Sequence, residues 1–238
     1  MKTISLITDS LAMPRVEGDE KIYIQQTWPK LLAQSLDNAY LLAEFTQRAR
    51  DTDSLKKVQL FFESITCCNP DVVIFEIGIV DCAPRIISKK ENAIINRKIF
   101  PKSIRNFVIR SRKKNKIKIL KKGALNKVYV APQKFRKNII EFVQKIALSN
   151  PRVTIYFIPI LGNFTELEKK SPGYTANKDL YNKILKEISI EFNCFFQENL
   201  IGIMHDQSNY TLDSYHLSSK GHEELANHLL IKIKTAVI

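Results

Sequence analysis

The sequence predicts an α/β fold, a three-layer sandwich in which a central, mainly parallel five-stranded sheet carries helices on both faces. Three observations lead there. Strand-like and helix-like segments alternate almost throughout the chain, the pattern of parallel strands joined by right-handed helical crossovers. The clearest strand, Asp71 to Ile77, is a short and nearly continuous apolar run of the kind that burial on both faces requires. The longer helical segments repeat apolar residues at helical spacing, so each has one face to bury.

Taken in order, Lys2 to Thr8 alternates β-branched and apolar residues and ends at Asp9-Ser10. That polar pair sits at the carboxyl end of a first strand, where open parallel sheets gather their ligands. Thr27 caps a helix running through Leu36, with Pro29 in its first turn and Trp28 packed in the core. Asn38 to Phe45 reads as a second strand, although it can equally extend a helix. A polar loop, Thr46 to Thr52, follows. Asp51 or Asp53 then caps an amphipathic helix carrying Leu55, Val58, Phe61, Phe62 and Ile65. Strand three, Asp71 to Ile77, leads into Gly78-Ile79-Val80-Asp81, a glycine and an acid at a second strand end. Helices are expected at Lys102 to Lys113 and Gln133 to Ala147. Arg152 to Ile158 is the fourth strand and Pro159 to Gly173 a long loop. A helix from Thr175 to Phe192 and a short fifth strand, Cys194 to Phe196, come next. Ser218 or Ser219 caps a last helix that buries Leu225, Leu229, Leu230 and Ile233.

Composition narrows the class. A chain of 238 residues with 45% hydrophobic and 26% charged residues can bury a sizeable core, and one domain over 1–238 with an insertion is expected. The apolar run at the N-terminus is too short for a secretory signal, and none approaches the ~18 residues of a membrane span. A cytoplasmic protein, peripheral to the inner membrane at most, is the expectation. Cys67, Cys68, Cys82 and Cys194 form no paired motif or zinc spacing and read as buried free thiols. The histidines share no helical ligand spacing, so no metal and no cofactor is implied. The formal charge of +13 belongs to one segment: from about Arg85 to Lys137, nineteen lysines and arginines face a single acid, Glu91.

The chemistry concentrates near the C-terminus. Asp213 and His216 stand three residues apart just before a helix start, so both can project from one short turn. A carboxylate placed there holds one imidazole nitrogen and leaves the other free to take a proton from a nucleophile. Ser10 offers a hydroxyl at the end of the first strand.

Thr8-Asp9-Ser10, Gly78-Ile79-Val80-Asp81 and Asp213-Ser214-Tyr215-His216, the last continuing to Leu217-Ser218 and Gly221-His222, resemble in order and spacing the blocks of the SGNH (GDSL-type) hydrolase superfamily. The resemblance implies a flavodoxin-like sheet and a catalytic triad of Ser10 as nucleophile, His216 as general base and Asp213 orienting the imidazole. It also implies an oxyanion hole built from the Ser10 backbone N–H and a second backbone donor. The family's glycine is missing from that second block; by position Ala49 or Arg50 would serve. Val80 replaces the family's oxyanion-binding asparagine, and loss of one such donor typically costs about 10² to 10³ in turnover. Asn163 or the backbone of the Gly78 turn are the candidates to compensate. Asp81, matching the last acid of that block, is either a substrate-side group or a structural hydrogen-bonder.

The resemblance implies a serine esterase or acyltransferase. The Gly78 to Arg85 stretch is similar to that of SGNH proteins of bacterial surface-polysaccharide metabolism, and so implies as substrate an acyl ester, an O-acetyl group above all, of a carbohydrate in that metabolism. The basic segment, placed between strands three and four as a helical insertion, can guide an anionic glycan to the site or meet an anionic membrane surface. Its few aromatics, Phe100 and Phe107, argue against a stacking platform for single-stranded nucleic acid. Two rivals stay open: a catalytically weakened glycan-binding module, and a nucleic-acid-binding protein that uses the basic segment.

Overall fold

The computed structural model describes residues 2–15, 20–36, 40–46, 51–56, 63, 65–95, 101–121, 128–162 and 164–236. Five strands, β1 (Lys2–Thr8), β2 (Tyr40–Thr46), β3 (Val72–Glu76), β4 (Thr154–Phe157) and β5 (Phe195–Phe196), form one sheet in the order β2-β1-β3-β4-β5. Every neighbouring pair is parallel. Four strands have four residues or more, while β5 adds two residues at the edge. The order reverses direction at β1, so the carboxyl ends of β1 and β3 open a crevice between them, the switch point where such sheets bind ligands.

Helices complete the layers. In chain order they are α1 (Trp28–Ser35), α2 (Thr52–Lys56), the single turn α3 (Ile79–Cys82), α4 (Lys89–Ile95), α5 (Lys102–Lys114), α6 (Lys116–Lys121), α7 (Pro132–Ser149), α8 (Phe164–Lys170), α9 (Tyr174–Glu191), α10 (Asn199–Ile203) and α11 (Ser219–Ala236). The period of two along each strand sorts its side chains between two cores. Val73 and Phe75 of β3 pack with Phe135, Ile139 and Phe142 of α7 and with Tyr181, Leu185 and Ile188 of α9. Val72 and Ile74 point the other way, onto Trp28 and Leu32 of α1 and Leu225, Leu229 and Ile233 of α11. All five residues of β3 are buried, as its unbroken apolar run requires.

Several sequence expectations need correction. The long loop after β4 contains α8, whose Leu167 is buried. Thr27 does not cap α1 through its side chain; its hydroxyl donates to the Ile24 carbonyl instead. Asp51, not Asp53, caps α2, accepting from Ser54 N at 2.9 Å; further along the helix expected from the apolar spacing, residues 63 and 65–67 are helical, with 57–62 and 64 outside the described residues. Of that spacing, Leu55 and Ile65 are buried, whereas Val58, Phe61 and Phe62 lie outside the described residues. The cysteines are free, but only Cys82 is buried and Cys67 is exposed. The basic segment carries α4, α5 and α6 between β3 and β4. Among the described residues, no helix is long and apolar enough to cross a membrane.

Candidate active site

Asp213 and His216 meet in a tightly tied turn. An antiparallel bridge joins Tyr210 to Leu217, and Thr211 N donates to the His216 carbonyl at 2.9 Å, closing the loop between them. Ser214 takes a left-handed φ of +69° inside this turn. The Asp213 Oδ1 atom accepts the backbone N–H groups of Tyr215 and His216, both at 2.9 Å, and the Thr211 hydroxyl at 3.1 Å. Oδ2 lies 2.7 Å from His216 Nδ1 and also receives Arg15. Burial works against ionisation, yet the hydrogen bonds from the His216 side chain and backbone, from Arg15 and from Tyr215 outweigh it. The carboxyl is held well below the usual carboxylate range. An ionised carboxylate only accepts, so Nδ1 carries a proton, and an imidazole with that single proton has a bare Nε2.

The helix that follows anchors the turn. Ser218 Oγ accepts from Gly221 N at 3.1 Å and donates to the Ser208 carbonyl at 2.6 Å, so Ser218 is the cap. Gly221 lets the Asn209 backbone press against α11; a Cβ there would overlap the Asn209 carbonyl oxygen. His222 is buried, its Nδ1 accepting from Trp28 N at 3.1 Å. Burial and then the nearby His216 lower its pKa to about 4, so it is a neutral packing residue rather than a second base.

At the other side of the crevice, the end of β1 tightens into a 3-10 turn over Ser10–Ala12. The buried Asp9 caps it: Oδ1 accepts Leu11 N at 3.0 Å. The Ser10 N–H, by contrast, has no acceptor among the described residues and remains available as a donor. Burial raises Asp9 to about 7, against the smaller lowering effects of the Leu11 hydrogen bond and the His216 charge. Ser10 and His216 line one cleft of about 620 Å³, walled by Ile79, Val80 and Tyr215, with Arg85, Lys116 and Ser171 as its other polar groups. No hydrogen bond joins Ser10 to His216 among the described residues. Such contacts commonly close only when substrate is bound.

Compared by sequence, the chain matches no family model and no curated protein. Compared by structure, it is similar over its whole length to a psychrotrophic esterase from Pseudoalteromonas sp. inhibited by monoethylphosphonate, with TM-score 0.60, 14% identity, and 100% and 99% of the two chains covered. It is similar to an acetyl xylan esterase, with TM-score 0.61, 15% identity, and 99% and 100% covered. A carbohydrate acetylesterase from Sinorhizobium meliloti gives TM-score 0.59, 14% identity, and 99% and 100% covered. The chain has an SGNH hydrolase-like fold.

Within that SGNH-type fold, Ser10 and His216, two of the residues expected from the sequence, line one cleft, and Asp213 holds His216 from beside it. The middle block does not behave as expected. Val80 lines the cleft with an apolar side chain, so it offers no side-chain donor. Gly78 and Asp81 are not among the residues that line the cleft, and Asp81 takes the structural hydrogen-bonding role, one of its two readings from the sequence. Gly78 turns the chain at a φ of +117°, where a Cβ would come within 2.9 Å of Ile160. Asp81 is fully buried, and its Oδ1 accepts Thr52 N at 2.9 Å and the Thr52 hydroxyl at 2.6 Å, tying α3 to the start of α2. Burial raises Asp81 to about 7, despite those Thr52 hydrogen bonds. Ala49, Arg50 and Asn163 lie outside the described residues.

Sequence reasoning missed four polar side chains here. Arg15 reaches Asp213 across 198 positions of sequence, and a lone arginine after a first strand carries no signal of that. Arg85 and Lys116 belong to the basic segment, where a charge run marks a region without singling out members. Ser171, its Oγ 3.4 Å from the Tyr215 hydroxyl, ends α8 in what the sequence suggested was loop.

Proposed function

We propose that this chain is a serine ester hydrolase or acyltransferase of the SGNH type, acting on an O-acyl ester of a carbohydrate. The observation that carries the reading is the Asp213–His216 pair, with its Nδ1 proton fixed by an ionised carboxylate, on the wall of the cleft that Ser10 also lines. Ser10 Oγ attacks the ester carbonyl as its proton passes to His216 Nε2, and Asp213 stabilises the imidazolium that forms. The carbonyl oxygen becomes an oxyanion within reach of the free Ser10 N–H. Collapse expels the carbohydrate alcohol, protonated by His216, and leaves an acyl-serine. Water, or an acceptor hydroxyl activated by the same imidazole, then takes the acyl group.

The carbohydrate assignment draws support from two structural neighbours named as an acetyl xylan esterase and a carbohydrate acetylesterase. A role in bacterial surface-polysaccharide metabolism is the setting we favour. The apolar Val80 side chain favours a slower enzyme, and at its limit a glycan-binding module. A fluorophosphonate probe tests the core of the reading: it should label the wild-type protein and fail to label Ser10→Ala. Equal labelling of both, or no labelling of a wild type that binds acetylated glycans, would favour the binding module.

A further inference from the structure

The cleft continues past His216 into a charged groove. Lys116 and Tyr215 line both the cleft and a wider groove of about 1100 Å³, whose other walls include Lys118, Lys121 and Lys170. Arg85 lines the cleft on the near side of that junction. Burial, and then the charges of Arg85 and Lys170, lower the Lys116 ammonium from its ordinary range.

Arg85 and Lys170 are held by neutral groups. Arg85 Nη2 donates to the Val80 carbonyl at 3.0 Å, and its guanidinium lies 4.2 Å from the centre of the Tyr129 ring. The Arg85 Nε is buried and has no acceptor among the described residues. Lys170 Nζ donates to the Leu212 carbonyl at 2.7 Å and to the Ser214 hydroxyl at 3.2 Å, from the turn that holds Asp213 and His216. Among the described residues no carboxylate pairs with Arg85, Lys116 or Lys170. Asp213, the acid on the groove wall, is engaged by Arg15 and His216. Elsewhere in the basic segment cations do find acids, as Arg112 finds Glu91 and Lys89 finds Asp51. Glu166, on the same helix as Lys170, feels the Lys170 charge, yet gathering three like charges costs Coulomb energy, which an anion bound among them would relieve.

We propose that Arg85, Lys116 and Lys170 form a subsite for an anionic group, a carboxylate or a phosphate, carried by the acylated carbohydrate beside the ester that Ser10 attacks. The inference rests on the ester-hydrolase reading and adds the charge of the substrate to it. Lys116 sits where cleft and groove join, so a sugar whose ester faces Ser10 can extend its acidic group along the wall toward Lys170.

The test uses matched acetyl esters of one methyl glycoside: glucose, glucuronate and glucose 6-phosphate. At low ionic strength kcat/KM should favour an anionic ester over the neutral one by roughly ten- to a hundredfold, the scale of a charge-assisted contact. The preference should shrink with added salt. Lys116→Ala should remove most of it, and Lys116→Glu should invert it. Comparison of glucuronate with the phosphate separates the two sources of charge. Equal kcat/KM for all three esters, or a preference untouched in Lys116→Ala, would overturn the subsite and leave the hydrolase reading standing. If no ester is turned over, the hydrolase reading fails alone, because binding of polyglucuronate decides the subsite. Binding to Ser10→Ala that weakens at least tenfold in Ser10→Ala/Lys116→Ala upholds it, and equal binding overturns it.

Discussion

Replacing Asp213 by asparagine tests the proton-handling part of the site with almost no change in shape. Oδ1 can still accept the N–H groups of Tyr215 and His216 and the Thr211 hydroxyl. The atom that changes is Oδ2, which in the wild type accepts from His216 Nδ1 at 2.7 Å and from Arg15. An amide NH₂ there donates, so it drives Nδ1 to the acceptor tautomer and puts the proton on Nε2, where a base must be bare. It also sets an amide donor against the Arg15 guanidinium. The wrong tautomer costs about 10⁴ in kcat in a serine triad, which corresponds to about 5 kcal/mol of barrier. Nitrophenyl acetate turnover, with thermal melts to confirm folding, provides the assay. Asp213→Asn should fall close to His216→Ala. A folded Asp213→Asn protein within tenfold of wild type would refute the tautomer argument.

Two further outcomes follow from buried groups. Burial raises Asp81 to about 7, whereas an unfolded aspartate titrates near about 3.9. Between those values the folded state keeps a proton that the unfolded state has released, so this residue's contribution to stability falls as pH rises through the window. Asp81→Asn keeps an oxygen for Thr52 N and Oγ1 and has no such proton, so its urea midpoint should gain on wild type from pH 5 to pH 8. A pH-independent difference would contradict the sign. Gly221→Ala drives a Cβ into the Asn209 carbonyl at the base of the turn that carries Asp213 and His216. Overpacking of this kind costs about 1–3 kcal/mol or more, so both melting temperature and turnover should drop. Unchanged values would mean that α11 is free to shift.

Much of the fold was legible because burial leaves a local record. The alternation in Lys2–Thr8 and the unbroken run in Val72–Glu76 follow from which faces those strands cover. The 3.6-residue spacing in Pro132–Ser149 likewise records the one face that meets the sheet. The sequence was less informative where capping or tertiary contact decides. Phe164–Lys170 is helical among loop-like residues. Cys68 and Cys194 are partly exposed and Cys67 exposed, although their residue type favours burial.

By itself, the sequence determined the chemical types at the strand ends and the short-range pairing of Asp213 with His216, since three residues within one turn can hardly lie far apart. Tertiary structure alone decided which long-range partners those groups meet. It joined Arg15 to Asp213, turned Asp81 inward onto Thr52, and gave the Ser10 N–H no acceptor among the described residues. It also placed Arg85 in the cleft, Lys170 in the groove beyond it and Lys116 where the two join, with no carboxylate paired to any of them among the described residues. The physical reason is range: spacing governs contacts within a few residues, whereas charge pairing and desolvation depend on distances that only the packed chain sets.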